Sequence, residues 1–329
     1  MPRRVRRIGI TAGDPAGIGP EVALKAAARF DDSSTILIVI GRAAAMRTVC
    51  GPTFEGFEVI GEGDIVDCRA GGRYVFDVPI DLPIPVPGEG SADTGRESIA
   101  YLDAAVRIWQ SGHIHAIVTG PVSKGNIAKS GLRFTGHTEY LAERTGGEPW
   151  MMMYAPRHRV LLATTHLPIA SVAASLTKER ILAAIRAGHD AVSVLDGPAA
   201  RIAVAGLDPH CGDDGAIGSF DREVTASAIA MAREQGIDVE GPFAADTLFI
   251  PSRWERYHLA IAQYHDQGLI PFKMLEFDRG VNITIGLPLV RTSVDHGTAY
   301  DIAGRGLAND ESMLSAIRLA ARLTRREVT

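Results

Sequence analysis

The sequence predicts an α/β protein with a mostly parallel sheet covered by helices. Short apolar runs rich in Ile and Val end abruptly in Gly, Pro or His, and they lie within residues 7–15, 34–42, 115–124, 160–168, 201–210 and 259–268. Apolar runs of this length are typical of strands that are buried on both faces. Ala-rich segments of helical character lie between them, as in residues 20–30, 98–109 and 178–195. Alternation of strand and helix along a chain indicates a parallel α/β sheet.

The segment from Gly71 to Gly95 has a different pattern. It carries Pro79, Pro83, Pro85 and Pro87 among alternating Val and Ile, which predicts extended edge or connecting structure. The chain of 329 residues has room for about two domains. Because no polar linker and no internal repeat interrupts it, we expect two domains that share strands.

Composition and charge exclude several classes of protein. Apolar residue types make up 46% and charged types 22%, which argues against disordered, collagen-like and disulfide-scaffold proteins. The net charge of −5 gives no reason to expect binding to nucleic acid or to an anionic membrane. No run approaches the roughly 20 apolar residues of a membrane span. The basic start, MPRRVRR, leads into an apolar stretch only as long as a strand, so we expect mature protein there and no secretion signal.

Cysteine and lysine are both scarce. The three cysteines, an odd number without CxxC spacing, favour a reducing compartment, and we expect the cytoplasm. Nearly all basic residues are arginine, so a lysine in a site-like position carries more weight than usual. The five lysines are Lys25, Lys124, Lys129, Lys178 and Lys273.

Three histidines directly follow predicted strands. His166, His210 and His265 come after the apolar runs at 160–168, 201–210 and 259–268. Ligands of open α/β sheets bind beyond the carboxyl ends of the strands. Since neutral imidazole is the commonest metal ligand, the three residues together indicate a divalent metal site. Taken singly, each could equally be a hydrogen-bonded loop histidine.

Two further clusters suit an anion. In FTGHTEYLAERTG, a helix from Glu139 onward would leave His137 and Thr138 near its N-terminus, where backbone N–H groups attract anions, although Thr138 could simply cap the helix. Lys273, Asn282 and Arg291 are spaced among apolar residues and could together bind a phosphate or carboxylate, or could be solvated loop residues. The turn GDPAGIGPE (13–21) is not the GxGxxG fingerprint of a Rossmann fold and is weak support for phosphate binding.

These segments together resemble a known family. GDPAGIGPE, TGPVSKG, FTGHTEYLA, ATTHLP, GLDPHCG, ADTLF, YHDQGLIPFK, GVNITIGLP and RTSVDHGTAYDIAG occur in the order found in the 4-hydroxythreonine-4-phosphate dehydrogenase family of vitamin B6 biosynthesis, over about the whole chain. HGTAYDIAGRGLAN (296–309) also resembles the adenosine-binding loop of isocitrate and isopropylmalate dehydrogenases. The resemblance implies their fold, with two interlocked α/β domains and a central cleft. The expected domains are a cofactor-side domain over 1–125 and 266–329, and a metal, substrate and dimerisation domain over 126–265.

The resemblance also implies roles for individual residues. His166, His210 and His265 match the metal ligands, with zinc expected and magnesium or cobalt as alternatives. The substrate-binding positions are matched by His137, Thr138, Lys273, Asn282 and Arg291. The cofactor-binding positions are matched by His296, Gly297, Asp301 and Asn309. A carboxylate at Asp301 would accept hydrogen bonds from a ribose 2′-hydroxyl and repel a 2′-phosphate, which predicts NAD over NADP. The family forms homodimers whose sites draw residues from both subunits.

The implied reaction is NAD-dependent oxidation of 4-hydroxythreonine 4-phosphate at C3, followed by decarboxylation of the β-keto acid. The phosphate anchors the substrate and is not transformed. The general base stays open among Lys273, Asp246 and Asp266, because the two aspartates could instead orient metal ligands.

The loop after His210 departs from the family pattern. Asp208 and Cys211 replace the family's Asn and Ala there, and the pair Ser219–Phe220 is inserted into the acidic stretch that follows. Cys211 could be a small buried residue or a thiolate ligand. The loop therefore leaves a 4-phosphorylated sugar acid, threonate or erythronate 4-phosphate, as an alternative substrate. A zinc hydrolase and an exported solute-binding protein are alternatives of other classes. The adenosine-type loop argues against the first and the absence of a signal segment against the second.

Overall fold

A computed structural model describes residues 5–277 and 279–324, so the first four residues of the basic start lie outside the described part. The strands are β1 (Arg6–Thr11), β2 (Thr35–Gly41), β3 (Glu58–Ile60), β4 (Arg73–Asp77), β5 (Ala116–Thr119), β6 (Trp150–Tyr154), β7 (Arg159–Leu162), β8 (Ile202–Ala205), β9 (Val239–Phe243), β10 (Leu259–Ala262), β11 (Val281–Ile285) and β12 (Val290–Ser293). The helices are α1 (Gly19–Arg29), α2 (Ala43–Cys50), α3 (Ala92–Gln110), α4 (Lys124–Lys129), α5 (His137–Thr145), α6 (Ile169–Ser175), α7 (Lys178–Asp196), α8 (Ala226–Glu234), α9 (Ala245–Leu248), α10 (Pro251–Trp254), α11 (His265–Glu276) and α12 (Glu311–Leu323). The six predicted strand runs are confirmed as β1, β2, β5, β7, β8 and β10, and the three predicted helices as α1, α3 and α7.

The chain divides into two compact units. Unit 1 consists of residues 1–148 and 287–329, and unit 2 of residues 149–286. The predicted domains also had a discontinuous first part, but their breaks, after 125 and 265, fall earlier in the chain than those of the units. Helix α5 lies in unit 1 because it packs on α3, and α11 lies in unit 2 because it packs on β7 and β10.

The strands described in unit 1 have the order β3-β4-β2-β1-β5-β12, with every neighbouring pair parallel. Strand β1 is central, and its side chains Ile8 and Ile10 are fully buried. Burying aliphatic side chains of this size contributes about 1.5–3 kcal/mol each. The expectation for residues 71–95 was partly wrong, because β4 is an interior strand between β3 and β2. The prolines follow β4, and helix α3 begins at Ala92 with the Ser91 hydroxyl accepting a hydrogen bond from the Thr94 amide.

The strands described in unit 2 have the order β11-β6-β7-β10-β8-β9. Strand β6 is antiparallel to both of its neighbours, whereas β7, β10, β8 and β9 are parallel. The core around these strands includes Met153, Val160, Leu162, Trp254 and Phe272, all at most 1% exposed. Together with unit 1, this arrangement confirms the predicted α/β class with a mostly parallel sheet. It also places the carboxyl ends of β7, β10 and β8 side by side.

A helix that crosses a membrane must be both long and predominantly apolar. Within residues 5–277 and 279–324, no helix combines the length and the apolar character needed to cross a bilayer. The longest described helices, α3 and α7, are each 19 residues long and carry charged side chains along their length.

Candidate active site

The N-terminus of helix α5 lies in unit 1 beside basic side chains. The helix begins at His137, with Gly136 at the N-cap position, so Thr138 lies in the first turn and does not cap the helix. The first-turn N–H groups and the helix dipole favour an anion at this end. A Cβ atom at Gly136 would lie only 2.7 Å from Glu139 Oε2, and 3.6 Å from Lys124 Nζ. Glycine at this position therefore leaves room for the Glu139 carboxylate, and the Lys124 ammonium lies beside the same helix end.

Arg291 adds a buried positive charge to this cluster. Its residue is 3% exposed and lies on β12, which runs parallel to β5. The guanidinium donates hydrogen bonds to the Thr119 hydroxyl at the end of β5, from Nε at 3.2 Å and from Nη2 at 2.8 Å. Burial lowers the pKa of Arg291 to about 10, against the opposing effect of the Glu139 carboxylate. A guanidinium stays charged at neutral pH even with this pKa, so it offers a desolvated cation to an anion.

His137 is the neutral member of the cluster. Its pKa lies well below the usual 6.5 because burial disfavours the charged ring, and because Arg291 and Lys124 are both positive. A neutral imidazole can donate a hydrogen bond to a phosphate oxygen without adding charge. We define the anion cluster as Lys124, His137, Thr138 and Arg291. The sequence analysis gave Lys124 no role. Its position shortly after β5, at the carboxyl end of a strand, could have marked it as a candidate binding residue.

The three histidines predicted to bind metal all lie in unit 2. They follow β7, β8 and β10, and β10 is the strand between the other two. The rings of His166 and His265 lie together, with 5.5 Å between their centroids. His265 Nδ1 lies 2.7 Å from Asp266 Oδ1. A carboxylate at Nδ1 fixes the tautomer and leaves Nε2 as a metal-binding atom, which is the usual arrangement of metal-ligating histidines.

His210 does not join this pair. It is exposed, and no group of three His, Cys, Asp or Glu residues in the described part of the chain is arranged to hold a metal ion. His210 begins a stretch, residues 210–215, whose backbone is left-handed throughout, with φ values from 46° to 97°. Four of these six residues are not glycine, and each such residue costs about 1–2 kcal/mol in this conformation. The structure therefore brings two of the three predicted ligands together.

Asp221 holds the start of this left-handed turn, and the sequence gave no signal for it. The residue is fully buried, and its carboxylate accepts hydrogen bonds from the Leu207 amide at 2.9 Å and the Asp208 amide at 2.9 Å. The Thr225 hydroxyl donates a further bond of 2.7 Å. Burial, followed by the Asp221 charge, raises the pKa of Cys211 to about 11. The raised pKa favours the interpretation of Cys211 as a neutral, partly buried thiol.

Two of the four remaining predicted residues of unit 2 line one groove. Asp246 in the first turn of α9 and Asp266 at the start of α11 line a groove of about 550 Å³ together with Tyr264 and Gln267. Lys273 lies later on α11 and is partly buried. Asn282 lies on β11 opposite Met153 of β6. Two of the three candidate bases, Asp246 and Asp266, thus share a single groove.

The predicted cofactor loop, residues 296–309, lies in unit 1. His296 Nε2 is buried and, among the described residues, has no hydrogen-bond partner, while Nδ1 lies 3.1 Å from the Gly297 carbonyl oxygen. A buried polar nitrogen without a partner fits a loop whose hydrogen bonds are completed by a ligand. Gly297 and Asp301 are exposed. Asn309 has a local role, because its Oδ1 accepts a hydrogen bond of 3.0 Å from the Glu311 amide at the start of α12.

The chain is similar to known proteins of one family. The family model described as pyridoxal phosphate biosynthetic protein PdxA matches residues 34–320. A 4-hydroxythreonine-4-phosphate dehydrogenase from Desulforapulum autotrophicum is 42% identical, over 95% of this chain and 94% of the relative. The enzyme of the same name from Chromobacterium violaceum is 42% identical, over 98% of each chain.

Solved structures agree with the sequence relatives. The crystal structure of 4-hydroxythreonine-4-phosphate dehydrogenase from Klebsiella pneumoniae has a TM-score of 0.84 and 35% identity, covering 97% of this chain and 99% of that chain. A β-decarboxylating dehydrogenase from Thermococcus kodakarensis has a TM-score of 0.53 at 16% identity, covering 97% and 84%, and it shows the fold alone. The predicted isocitrate and isopropylmalate dehydrogenase-like fold is thereby confirmed. The chain belongs to the family of the pyridoxal phosphate biosynthetic protein PdxA and is a dehydrogenase, as the resemblance implied.

Proposed function

We propose that the chain oxidises 4-hydroxythreonine 4-phosphate at C3 with NAD and a divalent metal, and that decarboxylation yields 3-amino-2-oxopropyl phosphate. The names and identities of its relatives support this activity. The observation that carries the proposal is the anion cluster, where buried Arg291 and the positive end of α5 suit a phosphate ester. The net charge of −5 does not oppose an anionic substrate, since the positive charge is local.

The phosphate has the role of an anchor. A phosphoryl group on the anion cluster would fix one end of the substrate, and the binding energy would orient C3 for reaction. Arg291 can bind two phosphoryl oxygens with its guanidinium, and Thr138 adds a hydroxyl and a first-turn amide. A substrate without its phosphate would lose this orientation and react slowly.

His166 and His265 are the residues of this chain that would hold the metal. Their paired rings and the Asp266 contact fit a divalent ion, and zinc is the ion we propose. When bound, such an ion lowers the pKa of a coordinated hydroxyl and polarises a developing carbonyl group. In a homodimer, His210 of a second copy would complete the set, which accounts for its exposed position away from the other two.

The oxidation step needs one base, which takes a proton, and one acceptor, which takes a hydride. The base takes the C3 hydroxyl proton while C3 transfers its hydrogen as hydride to the nicotinamide, which forms the β-keto acid and NADH. The carbon–carboxylate bond then breaks, CO₂ leaves, and the electron pair of that bond forms an enolate. The enolate takes up a proton at C2, which the protonated base can return, and gives 3-amino-2-oxopropyl phosphate. Asp246, Asp266 and Lys273 are the candidates for the base, and the groove shared by the two aspartates supports them.

The cofactor loop supports NAD as the oxidant. His296 Nε2 is available for a hydrogen bond to the adenosine part of the cofactor. Asp301 is exposed, so its carboxylate can accept bonds from a ribose 2′-hydroxyl and would repel a 2′-phosphate. We therefore propose NAD over NADP.

The compartment we propose is the cytoplasm. All three cysteines, Cys50, Cys68 and Cys211, are free thiols. Unpaired thiols are typical of proteins in a reducing environment. A nicotinamide-dependent biosynthetic reaction also belongs where its soluble cofactor is available.

A second substrate has a specific observation in its favour. A relative from Bradyrhizobium diazoefficiens, 41% identical over 97% of this chain, is named as a D-threonate 4-phosphate dehydrogenase. The two substrates differ at C2, where one carries an ammonium group and the other a hydroxyl. The reaction, the phosphate anchor and the metal ligands would be the same for both.

A substrate panel tests the proposed function. Zinc-loaded protein is mixed with NAD and, in turn, 4-hydroxythreonine 4-phosphate, D-threonate 4-phosphate, D-erythronate 4-phosphate and unphosphorylated 4-hydroxythreonine, and NADH absorbance is followed. We expect the first compound to give the highest kcat/KM and the unphosphorylated compound to give almost no NADH. A higher kcat/KM for D-threonate 4-phosphate would assign the second candidate, and no NADH from any ester would refute the dehydrogenase proposal.

A further inference from the structure

The cofactor loop of residues 296–309 is bound to the N-terminal GDPAG turn by the Tyr300 side chain, and the Ile18 amide just after that turn donates a hydrogen bond of 2.9 Å to the Thr298 carbonyl oxygen. The Tyr300 phenol donates a hydrogen bond of 2.7 Å to Asp14 Oδ2. The Tyr300 phenol oxygen in turn accepts a bond of 2.8 Å from Asn126 Nδ2. All three residues belong to unit 1 and come from distant parts of the sequence. The contact therefore fixes the loop in space.

The hydrogen bond from the Tyr300 phenol helps to stabilise the buried Asp14 carboxylate. The residue is fully buried, and a buried carboxylate is costly unless hydrogen bonds satisfy it. Its Oδ1 accepts a bond of 3.0 Å from the Ala16 amide, and its Oδ2 accepts a longer one of 3.4 Å from the Thr94 hydroxyl. The Tyr300 bond is the shortest of the three. Burial, together with the Asp14 bond, raises the pKa of Tyr300 to about 12, so the phenol keeps its proton throughout the neutral range.

A second contact binds the other end of the loop to helix α1. Lys25 Nζ donates hydrogen bonds to the carbonyl oxygens of Gly306 at 2.8 Å and Ala308 at 3.1 Å. Glu21 Oε1 lies 2.6 Å from the same ammonium and accepts a bond of 3.0 Å from the Ala308 amide. The Glu21 side chain is only 4% exposed, so this pair is well shielded from solvent. The loop is thus held near both of its ends.

We propose that Tyr300 and Asp14 are positioning residues for the dinucleotide, acting through the conformation of the loop. The inference rests on the proposed assignment of residues 296–309 to the cofactor. Asp301 follows Tyr300 directly, so a fixed Tyr300 ring sets where the exposed Asp301 carboxylate lies. The GDPAG turn then serves cofactor binding indirectly, through Asp14, and this role replaces its weak interpretation as a phosphate loop.

Tyr300→Phe is the direct test, since it removes one hydroxyl and keeps the ring. NAD binding is measured by isothermal titration in the absence of substrate and metal, and steady-state kinetics are measured on the metal-loaded enzyme. We expect the Kd for NAD to rise about tenfold, which is the loss of one hydrogen bond to a charged group. The kcat at saturating NAD and the KM for the phosphorylated substrate should stay within about twofold of wild type, because neither involves the loop contact.

Tyr74→Phe is the matched control. Tyr74 on β4 is buried, whereas Tyr300 is partly buried, and the Tyr74 phenol oxygen accepts a hydrogen bond of 2.9 Å from the Arg69 amide, away from the cofactor loop. A similar loss of thermal stability in both variants with a loss of NAD affinity in Tyr300→Phe alone would support the positioning role. An equal loss of NAD affinity in both would overturn it, since the effect would then be general destabilisation.

Asp14→Asn in the Tyr300→Phe background tests whether the two residues act together. Since both changes break the same contact, the double variant should bind NAD within about twofold of Tyr300→Phe. A much weaker affinity for NAD in the double variant than in Tyr300→Phe, or wild-type affinity in Tyr300→Phe, would overturn this inference and leave the proposed function standing. Failure of the wild-type protein to bind NAD would overturn the proposed function, and the inference with it.

Discussion

At the scale of single residues, the candidate site shows how a few basic side chains outweigh the net acidity of the chain. Lysine is rare in the sequence, and the structure gives two of the five a clear environment. Lys124 lies beside the N-terminus of α5, and Lys25 binds carbonyl oxygens of the cofactor loop. The sequence interpretation favoured Lys273 instead. Lysine scarcity could flag candidates, but only the fold shows which of them meet an anion or a loop.

Arg291→Lys should separate anion recognition from chemistry. An ammonium cannot reproduce the guanidinium's bonds to Thr119 while also binding two phosphoryl oxygens. We expect the KM for the phosphorylated substrate to rise at least about tenfold, with a smaller change in kcat, as measured by steady-state kinetics. Arg107→Lys, at an exposed position of unit 1, is the control and should change neither constant. An unchanged KM in Arg291→Lys would show that this residue does not bind the phosphate.

His137 predicts a pH dependence of stability. Its folded-state pKa lies well below the usual 6.5, so the unfolded chain binds the proton more readily than the folded chain does. The residue therefore costs no stability above about pH 6.5 and destabilises the fold progressively below it. We expect His137→Gln to lose less unfolding free energy than wild type between about pH 7 and pH 5, in urea titrations without phosphate or sulfate. Parallel curves for the two proteins would contradict the lowered pKa.

At the scale of elements, the strand ends were predictable and the turn after β8 was not. Apolar runs that stop at Gly, Pro or His marked β1, β2, β5, β7, β8 and β10 correctly, because strands buried on both faces need continuous apolar sequence. The left-handed turn of residues 210–215 has no such pattern. Non-glycine residues rarely take positive φ, so local sequence argues against this conformation. The residues just before the turn are fixed by Asp221, whose carboxylate accepts hydrogen bonds from the Leu207 and Asp208 amides.

Asp221→Asn should therefore destabilise the protein through this turn. The carboxylate accepts backbone amides on both oxygens, and an amide NH₂ placed there would face an N–H group. We expect a loss of about 1–3 kcal/mol in the free energy of unfolding, measured by urea denaturation. Glu223→Gln, an exposed neighbour, should change it by less than about 0.5 kcal/mol. Equal effects of the two substitutions would show that Asp221 does not hold the turn.

At the scale of the whole molecule, the fold class followed from strand and helix alternation, and the family from motif order. The boundaries of the two units could not be predicted from these sequence patterns. The predicted domains, 1–125 with 266–329 and 126–265, place α5 in the second domain and nearly all of α11 in the first. In the structure α5 packs on α3 and α11 on β7 and β10, contacts far apart in sequence that local patterns do not report. For the same reason, the sequence could nominate three histidines at strand ends without showing that only His166 and His265 lie together.

A homodimer that shares its metal site predicts complementation between inactive variants. His166→Ala and His210→Ala should each lose activity and bound zinc. If His210 serves the pair of the other subunit, refolding the two variants together should restore about a quarter of wild-type activity, because half of the dimers would be mixed and each would hold one intact site. His189→Ala, outside the predicted site, is the control and should keep full activity. No restoration by refolded mixtures would show that the three histidines act within one chain.

The most direct test of the account is the stoichiometry of NADH and CO₂ formed from 4-hydroxythreonine 4-phosphate. Zinc-loaded protein is given NAD and the ester labelled at its carboxyl carbon, and NADH absorbance and released label are measured in the same reaction. We expect one CO₂ for each NADH, with both products formed at least about tenfold more slowly by Arg291→Lys at low substrate. NADH without CO₂, or neither product from any 4-phosphorylated acid, would contradict a decarboxylating dehydrogenase.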